Sequence, residues 1–160
     1  MIITFEDLPS LREKHSDKRI VFGGGVYDLV HEGHVEGLAL RRSLGDILVC
    51  GVVCDERARS RKRQPVRSEK DRLALIDAFR DVDYSFILPV SKSNETPTMQ
   101  VIRTLRPDVY VEHQEHENRW TDQDKALVIS LGTAFVFDTQ PKRNSTTNII
   151  NHLKSDRLNF

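Results

Sequence analysis

Short apolar runs alternate along the chain with longer segments in which apolar residues recur every three or four positions. Runs of four to eight apolar residues are typical of strands, and a three-to-four spacing is typical of amphipathic helices. The longest such run, Ile47–Val53, carries no charged side chain and is typical of a strand covered on both faces. The predicted strands are Arg19–Phe22, Ile47–Val53, Tyr84–Leu88, Val109–Val111 and Ala134–Phe137.

Helix-start signals lie between these runs. Ser68 is followed by acidic residues and Thr96 by proline, both typical of helix N-termini. In the first helix we expect Val35 and Leu38 to face the core and Arg41 to face outward. The predicted helices are His34–Leu44, one from Ser68, one from Thr96 to Leu105, Thr121–Leu131, and a last one from Ser145 or a neighbour. The alternation predicts an α/β fold, a Rossmann-like three-layer sandwich with a central parallel five-stranded sheet and its chemistry at the carboxyl ends of the strands.

Composition narrows the class of protein. The 160 residues include 24 Lys plus Arg and 24 Asp plus Glu, so the chain lacks the basic excess of a protein that coats nucleic acid. We expect one domain over residues 1–160. The N-terminus has no basic segment before a long apolar stretch, and no apolar run is of membrane length, which predicts a cytoplasmic protein. Cys50 and Cys54 are expected to be buried free thiols in a reducing compartment.

The segment after the first predicted strand carries the candidate chemistry. Gly23, Gly24 and Gly25 are expected to let the backbone approach a ligand and to adopt positive φ angles, and the helix that follows favours an anion at its start. This position predicts a phosphate cradle. The pattern is neither the dinucleotide fingerprint G-x-G-x-x-G nor a Walker loop, because no Gly-Lys-Ser/Thr follows.

Two histidines, His31 and His34, end this segment with Gly33 between them. Both imidazoles can point at one bound phosphate and donate hydrogen bonds to charge that develops on its oxygens during phosphoryl transfer. The alternatives are a metal-binding pair and two unrelated surface histidines. Glu32 does not complete an H-E-x-x-H motif, and no third ligand lies nearby in the sequence.

The stretch Gly23–His34 resembles the T-N-G-C-F-D-L-L-H-x-G-H signature of the cytidylyltransferase-like nucleotidylyltransferases. Within that superfamily it resembles the heptose-1-phosphate adenylyltransferases, the glycerol-3-phosphate cytidylyltransferases and the archaeal FAD synthetases. The resemblance implies a catalytic core over residues 19–153, with residues 1–18 as an N-terminal extension. Later motifs in the family's order are Val53-Cys54-Asp55 with Arg72 in the next helix, Arg106–Val111, and Asn144–Ile150.

The resemblance implies transfer of AMP or CMP from a nucleoside triphosphate to a phosphorylated acceptor such as a sugar or polyol phosphate, with release of pyrophosphate. Mg²⁺ is implied with the nucleotide, and no protein ligand to the metal is predicted. The implied catalytic residues are His31, His34 and Arg72. The implied nucleotide-binding residues are Gly23, Gly24, Gly25, Val26, Tyr27, Asp28, Gly33, Asp55, His113, Ser145, Thr146 and Thr147. The implied contacts to the acceptor phosphate, in a basic loop, are Arg61, Lys62 and Arg63.

Relatives are often dimers, which implies a homodimer. From the charge balance and the short apolar runs, neither nucleic acid nor a membrane is expected as a partner. The resemblance also implies that Asp28 orients the loop after the first strand. The alternative is that its carboxylate caps a helix. For the basic run Arg57–Arg67 the alternatives are a solvated loop and contact with nucleic acid. Ser145-Thr146-Thr147 also has the composition of a simple helix cap.

Departures from the family pattern concern specificity. After the fourth strand, relatives carry a basic residue and Gly-Gly-Asp beside the nucleobase and ribose, whereas this chain has Glu112–Glu117, which predicts a changed base or acceptor pocket. Gln140 replaces an arginine of the glycerol-phosphate branch, which argues against glycerol 3-phosphate and favours adenylyl over cytidylyl transfer. The alternatives are cytidylyl transfer to a glycerol-phosphate-like or phosphonate acceptor, and a non-catalytic nucleotide-binding regulatory module.

Overall fold

A computed structural model describes residues 1–61, 64–90, 95–140 and 146–156. Within these ranges a sheet of five strands is flanked by helices. The strands are β1 (Ile20–Gly25), β2 (Ile47–Val53), β3 (Tyr84–Leu88), β4 (Val109–His113) and β5 (Ala134–Asp138). The α-helices are α1 (Leu8–Lys14), α2 (Glu32–Ser43), α3 (Asp55–Arg61), α4 (Glu69–Asp77), α5 (Pro97–Leu105), α6 (Asp122–Ser130) and α7 (Thr146–Asp156). Short 3₁₀ helices cover Phe5–Asp7 and Gln114–Arg119.

The strand order is β3-β2-β1-β4-β5, and every neighbouring pair is parallel. The predicted Rossmann-like parallel sheet is therefore confirmed. The chain leaves β3 at one edge and returns as β4 on the other side of β1. Such a reversal of strand order leaves a crevice at the carboxyl ends of the strands, where open α/β sheets bind ligands.

Local signals predicted several elements well. β2 and β3 have the predicted bounds. The hydroxyl of Ser68 caps α4 by accepting from the backbone N–H of Asp71 at 3.2 Å, and that of Thr96 caps α5 by accepting from Met99 at the same distance. Each cap satisfies an N–H group that has no partner inside its own helix.

The structure corrects the prediction for β1, which continues beyond Arg19–Phe22 through all three glycines. Gly23, Gly24 and Gly25 pair with β2 in extended conformation. The expected positive φ angles are therefore wrong, and among the described glycines only Gly132 has one.

Close neighbours, rather than turning, require glycine at the end of β1. A Cβ atom on Gly24 would lie 3.1 Å from the carbonyl oxygen of Gly51 in β2. A Cβ atom on Gly25 would lie 2.9 Å from the ring of Tyr27, which folds back over the strand. Both contacts are tighter than a side chain accepts without a shift of its neighbour.

Helix α2 buries a different face from the predicted one. Gly37, Leu38 and Arg41 are buried, whereas Val35 is exposed. The prediction that Arg41 faces outward is wrong, and Gly23 makes space for its buried side chain. A Cβ atom on Gly23 would lie 2.7 Å from Nε of Arg41.

The basic run predicted as a loop begins as helix α3. Asp55 and Glu56 occupy the first turn of this helix, where negative charge is favourable at the positive end of the helix dipole. The backbone N–H of Asp55 also donates to Oε2 of Glu69 at 2.7 Å, which links α3 to α4. Arg57 is half-buried and Arg59 is exposed.

The N-terminal segment packs onto the sheet. Leu8 and Leu11 of α1 are buried in one apolar cluster with Phe22 and Phe86, on one face of the sheet. The backbone N–H of Ile3 donates to the carbonyl oxygen of Ser85 in the edge strand β3 at 2.9 Å. Residues of the predicted extension thus cover both a face and an edge of the sheet.

Cys50 and Cys54 are buried free thiols, as predicted. Burial raises the pKa of Cys50 to about 11, so this thiol is protonated at neutral pH. In the described part of the chain, no helix combines the length and apolarity needed to cross a bilayer.

Candidate functional site

A cleft of about 360 Å³ opens at the carboxyl ends of the strands. Its walls include Gly24 and Gly25 of β1, Glu112 and His113 of β4, and the start of α2. The cleft therefore lies at the switch point between β1 and β4, where the topology predicts a ligand.

His31 and His34 lie together in this cleft. Their ring centroids are 4.0 Å apart, and both residues line the cleft. The backbone N–H of His31 donates to Nδ1 of His34 at 3.3 Å, so a neutral His34 ring carries its proton on Nε2. Gly33 permits this arrangement, because a Cβ atom there would lie 3.2 Å from the His31 ring. The pair stands at the N-terminus of α2, where the helix dipole favours an anion.

The loop after β1 holds two further predicted residues, Tyr27 and Asp28. Tyr27 is buried with a φ of 52°, in the left-handed region that non-glycine residues rarely adopt, and its ring lies edge-on to His34 at 5.3 Å. Asp28 is buried, and its Oδ1 accepts from the backbone N–H groups of Val66 at 2.7 Å and Arg67 at 3.1 Å. Asp28 therefore ties the loop to the segment before α4.

Arg72 and Asp55 stand beside the cleft and are not among the described residues that line it. The Arg72 side chain is fully buried, and its Nη2 donates to Oδ1 of Asp55 at 2.7 Å. Its Nη1 donates to the carbonyl oxygen of Val26 and its Nε to that of Arg67 at 3.2 Å. Each guanidinium nitrogen thus meets a protein acceptor, which places Arg72 as a brace behind the loop after β1.

Helix α2 adds a cleft residue that the sequence reasoning missed, Arg41. It is 7% exposed, and its Nη1 donates to the hydroxyl of Tyr27 at 3.5 Å. Gly23 does not line the cleft among the described residues but borders this side chain. The helical period carried a signal for Arg41, which follows the buried residues Gly37 and Leu38 by four and three positions.

Glu112, in the segment that departs from the family pattern, lies at the centre of a hydrogen-bond network in the cleft. Its Oε2 accepts from the Tyr110 hydroxyl at 2.7 Å and from Nε1 of Trp120 at 3.3 Å. Its Oε1 accepts from the backbone N–H of His113 at 3.0 Å and lies 2.9 Å from Nδ1 of His116. Four partners on two oxygens fill the capacity of a carboxylate.

This network keeps Glu112 ionised. Burial alone would raise the pKa of its carboxyl, but the hydrogen bonds from His116 and Tyr110 outweigh burial and lower the pKa to about 2. Glu112 therefore anchors the loop after β4 with a permanent negative charge. His113 lines the cleft beside it, and its Nδ1 accepts from the backbone N–H of Glu115 at 3.2 Å.

The remaining predicted residues divide into two groups. Gly24, Gly25, Val26 and Gly33 line the cleft, as does Thr147 at the start of α7. Outside the described residues are Lys62, Arg63 and Ser145, together with the side chains of Arg61 and Thr146.

The described side chains of the cleft do not form a metal site. In the described ranges no three His, Cys, Asp or Glu side chains are grouped so that they could hold a metal ion. Asp28 and Glu112, two carboxylates of the cleft, hold backbone and side-chain donors instead. The described residues therefore provide no metal cage of their own.

The parallel sheet, the cleft at its switch point and the paired histidines at a helix N-terminus define an α/β domain whose cleft favours an anion. The sequence profile of the cytidylyltransferase-like family matches residues 22–152, and the chain belongs to this family. It is a nucleotidyltransferase domain.

Curated relatives include proteins named "Bifunctional protein HldE". The chain is 31% identical to the one from Campylobacter fetus subsp. fetus (strain 82-40) over 159 residues, which are 96% of this chain and 31% of that protein. It is 35% identical to the one from Syntrophotalea carbinolica over 143 residues, 88% of this chain and 28% of that protein. The chain thus spans less than a third of the length of these relatives.

Solved structures share the fold. The lipopolysaccharide core biosynthesis protein from Thermoplasma volcanium GSS1 superposes with a TM-score of 0.66 and 25% identity, covering 78% of this chain and 99% of that one. Pantoate-beta-alanine ligase from Francisella tularensis superposes with a TM-score of 0.59 and 14% identity, covering 96% of this chain and 77% of that one. At that identity the second likeness concerns the fold alone.

Proposed function

We propose that this domain transfers a nucleoside monophosphate, AMP or CMP, from a nucleoside triphosphate to a phosphorylated small-molecule acceptor and releases pyrophosphate. The observation that carries the proposal is the His31–His34 pair at the N-terminus of α2, facing the cleft of a chain that belongs to this family. Imidazole donors and a helix N-terminus together suit the phosphates of a nucleotide.

In the proposed reaction a phosphate oxygen of the acceptor attacks the α-phosphorus in line. The new P–O bond forms as the bond to the bridging oxygen breaks, and the electron pair leaves with pyrophosphate. No covalent residue is required, so the domain acts by positioning the two substrates and by stabilising charge. His31 and His34 donate hydrogen bonds to phosphate oxygens as negative charge develops.

Other predicted residues take supporting roles in this proposal. The backbone at Gly24, Gly25 and Val26 runs along the phosphates. Thr146 and Thr147 at the start of α7, together with Ser145, bind the β and γ groups. Arg72 is a positioning residue, because its contact with the carbonyl oxygen of Val26 fixes the loop that faces the nucleotide.

Mg²⁺ is proposed to arrive with the triphosphate. This fits a cleft whose described residues form no metal cage, since Mg²⁺ commonly keeps several waters and binds substrate phosphates. When bound, the ion would neutralise phosphate charge. The homodimer remains a prediction.

The acceptor is proposed to be a sugar phosphate, with adenylyl transfer favoured over cytidylyl transfer. Support comes from the resemblance to heptose-1-phosphate adenylyltransferases and from a structural neighbour named for lipopolysaccharide core biosynthesis. Arg61, Lys62 and Arg63 would bind the acceptor phosphate, as arginine pairs strongly with phosphate. Measured as KM, Arg61→Ala and Arg63→Ala should lose more apparent affinity for the phosphorylated acceptor than for the nucleotide. Equal losses would contradict the acceptor role.

Pyrophosphate release tests the reaction directly. ATP, CTP, GTP and UTP are each supplied with Mg²⁺ and a panel of sugar and polyol phosphates. We expect one pairing to turn over, and His34→Ala to lower its rate by about 10²–10³-fold, the usual cost of a lost transition-state donor. His15→Ala is the matched control, because His15 contacts Tyr84 of the edge strand β3 and does not line the cleft. Wild-type turnover by His34→Ala would refute the central role of the pair.

A non-catalytic nucleotide-binding module is the second candidate. The observation in its favour is Glu112, whose negative charge and neighbours occupy the place where relatives carry a basic residue. Thermal unfolding with each nucleotide separates the two functions, because a bound ligand stabilises the fold whether or not it reacts. Stabilisation without pyrophosphate release from any tested pairing would favour the module.

A further inference from the structure

Arg41 has an unusual position for an arginine. It is only 7% exposed, and it lines the cleft. Its Nη1 reaches the hydroxyl of Tyr27, but Nε is buried and has no hydrogen-bond partner among the described residues. A buried N–H without an acceptor costs free energy, so a ligand that supplied one would bind more tightly.

The fold provides space for this side chain at Gly23 of β1. A Cβ atom at Gly23 would lie 2.7 Å from Nε and 2.8 Å from Cδ of Arg41. The buried position of Arg41 therefore depends on a glycine in the neighbouring strand.

The charges near Arg41 indicate what it can bind. Burial lowers the pKa of Arg41, but the groups around it, among them Tyr27, Asp138 and Glu112, outweigh burial and raise the pKa above its ordinary value. Asp138 is itself buried and lines the same cleft. A phosphate placed here would face two carboxylates, so an uncharged acceptor atom suits Arg41 better.

The distance from the paired histidines points to the same conclusion. Arg41 follows His34 by seven residues, about 10 Å along the axis of α2. If the triphosphate lies at the N-terminus of α2, Arg41 lies toward the nucleoside end of the ligand. The uncharged acceptors available there belong to the nucleobase, as ring nitrogens or carbonyl oxygens, and to the ribose.

We propose that Arg41 is a specificity-determining residue whose Nε–H donates to an uncharged acceptor atom of the nucleobase. This inference rests on the proposed nucleotidylyl transfer and adds the residue that recognises the base. It predicts that Arg41 contributes to the affinity for the nucleoside part of the substrate and not for its phosphates.

Binding to inorganic tripolyphosphate and to the four nucleoside triphosphates separates these contributions. With Mg²⁺ present, Arg41→Met should weaken the preferred nucleotide about tenfold, the effect of one hydrogen bond of about 1.4 kcal/mol. Its dissociation constant for tripolyphosphate should stay within about twofold of the wild-type value. Arg41→Lys should lose as much nucleotide affinity as Arg41→Met, because it keeps the charge but not the Nε–H.

Two further variants control for folding and charge. Arg42→Met removes the adjacent arginine, which contacts Gly45 away from the cleft, and should bind every ligand like wild type. Gly23→Ala keeps Arg41 but displaces its Nε and Cδ, and the three atoms nearest to the added Cβ all belong to the Arg41 side chain rather than to the sheet backbone. Gly23→Ala should therefore reproduce the base-dependent loss of affinity with a near-wild-type melting temperature.

The outcomes are distinct. Equal losses of affinity for nucleotide and tripolyphosphate would mean that Arg41 binds phosphate, and would overturn the inference. Unchanged nucleotide affinity in both Arg41→Met and Gly23→Ala would also overturn it. Either result would leave the proposed reaction in place if wild-type protein still released pyrophosphate. Wild-type protein that bound no nucleoside triphosphate would overturn the reaction and the inference together.

Discussion

Nη2 of the fully buried Arg72 side chain donates to Oδ1 of Asp55 over 2.7 Å, and this ion pair connects α4 to the start of α3. The same guanidinium holds the carbonyl oxygens of Val26 and Arg67. One side chain therefore braces three segments around the cleft. The resemblance implies that Arg72 contacts phosphate, but Arg72 can also serve the site by bracing these segments without touching the ligand.

Replacing Arg72 should destabilise the fold before it changes the chemistry. Arg72→Gln leaves the carboxylate of Asp55 and two carbonyl oxygens short of their donor, and losing the donor of buried acceptors costs about 1–3 kcal/mol. Urea-induced unfolding measures this loss. Arg80→Gln, on a side chain that is 94% exposed, is the matched control and should change stability by less than about 0.5 kcal/mol. A stable Arg72→Gln protein with reduced nucleotide affinity would instead make Arg72 a direct ligand contact.

Asp28 should act as a tether through its Oδ1. Its Oδ1 accepts both the Val66 and Arg67 N–H groups, so Asp28→Asn, which keeps an oxygen at that position, should retain them. Asp28→Ala removes both bonds and should cost about 1–3 kcal/mol. Hydrogen exchange of those two amides is the direct measurement, with faster exchange expected in Asp28→Ala. Equal protection in the alanine variant would refute the tether.

Much of the fold could be predicted because its signals are local. The bounds of β2 and β3 follow from apolar runs, and the starts of α4 and α5 follow from the capping residues Ser68 and Thr96. The glycines of β1 were placed wrongly because pairing with β2 is a contact between distant segments. Three glycines in a row favour a turn locally, yet all three pair with β2, and Gly23 pairs with β4 as well, which extends the strand.

Within the site, the proximity of the two histidines was predictable from the sequence. The contacts and burial of Arg41 and Arg72 were not. The resemblance named Arg72 but could not tell whether its partners are protein or ligand. Arg41 was assigned outward because charge usually marks the solvent face of a helix. Its burial depends on Gly23, eighteen positions earlier, so no pattern within α2 alone explains it.

Glu112 should make stability depend on pH in the acidic range. Its pKa is lowered from 4.5 to about 2 in the folded protein, so the ionised form is favoured by folding. The stabilisation is fully present above pH 4.5 and is lost as the pH falls toward 2. Glu112→Gln should therefore be less stable at pH 7, by about 1–3 kcal/mol, with a difference that shrinks between pH 4.5 and 2.

Melting temperatures across this range test the role of Glu112. Glu117→Gln is the control, since Glu117 is half exposed and pairs with Lys125 at 3.4 Å, a contact of little energetic value. Its melting curve should follow that of wild type at every pH. A Glu112→Gln difference that stayed constant down to pH 2 would mean that packing, not ionisation, explains the loss.

Asp108 of the Arg106-Pro107-Asp108 motif should contribute to folding and not to catalysis. Its Oδ2 accepts from the backbone N–H of Ile20 at 2.7 Å and from Nη1 of Arg12 at 2.9 Å, which joins β1, β4 and α1 near the amino end of the sheet, opposite the cleft. Asp108→Ala should lower the free energy of unfolding by about 1–2 kcal/mol through the lost hydrogen bonds. The turnover rate per folded molecule should stay within about twofold of wild type, because the variant leaves the cleft intact.

Asp17→Ala, at an exposed carboxylate, controls for the loss of charge. A large fall in turnover with unchanged stability would show that the motif reaches the site by a route other than the fold.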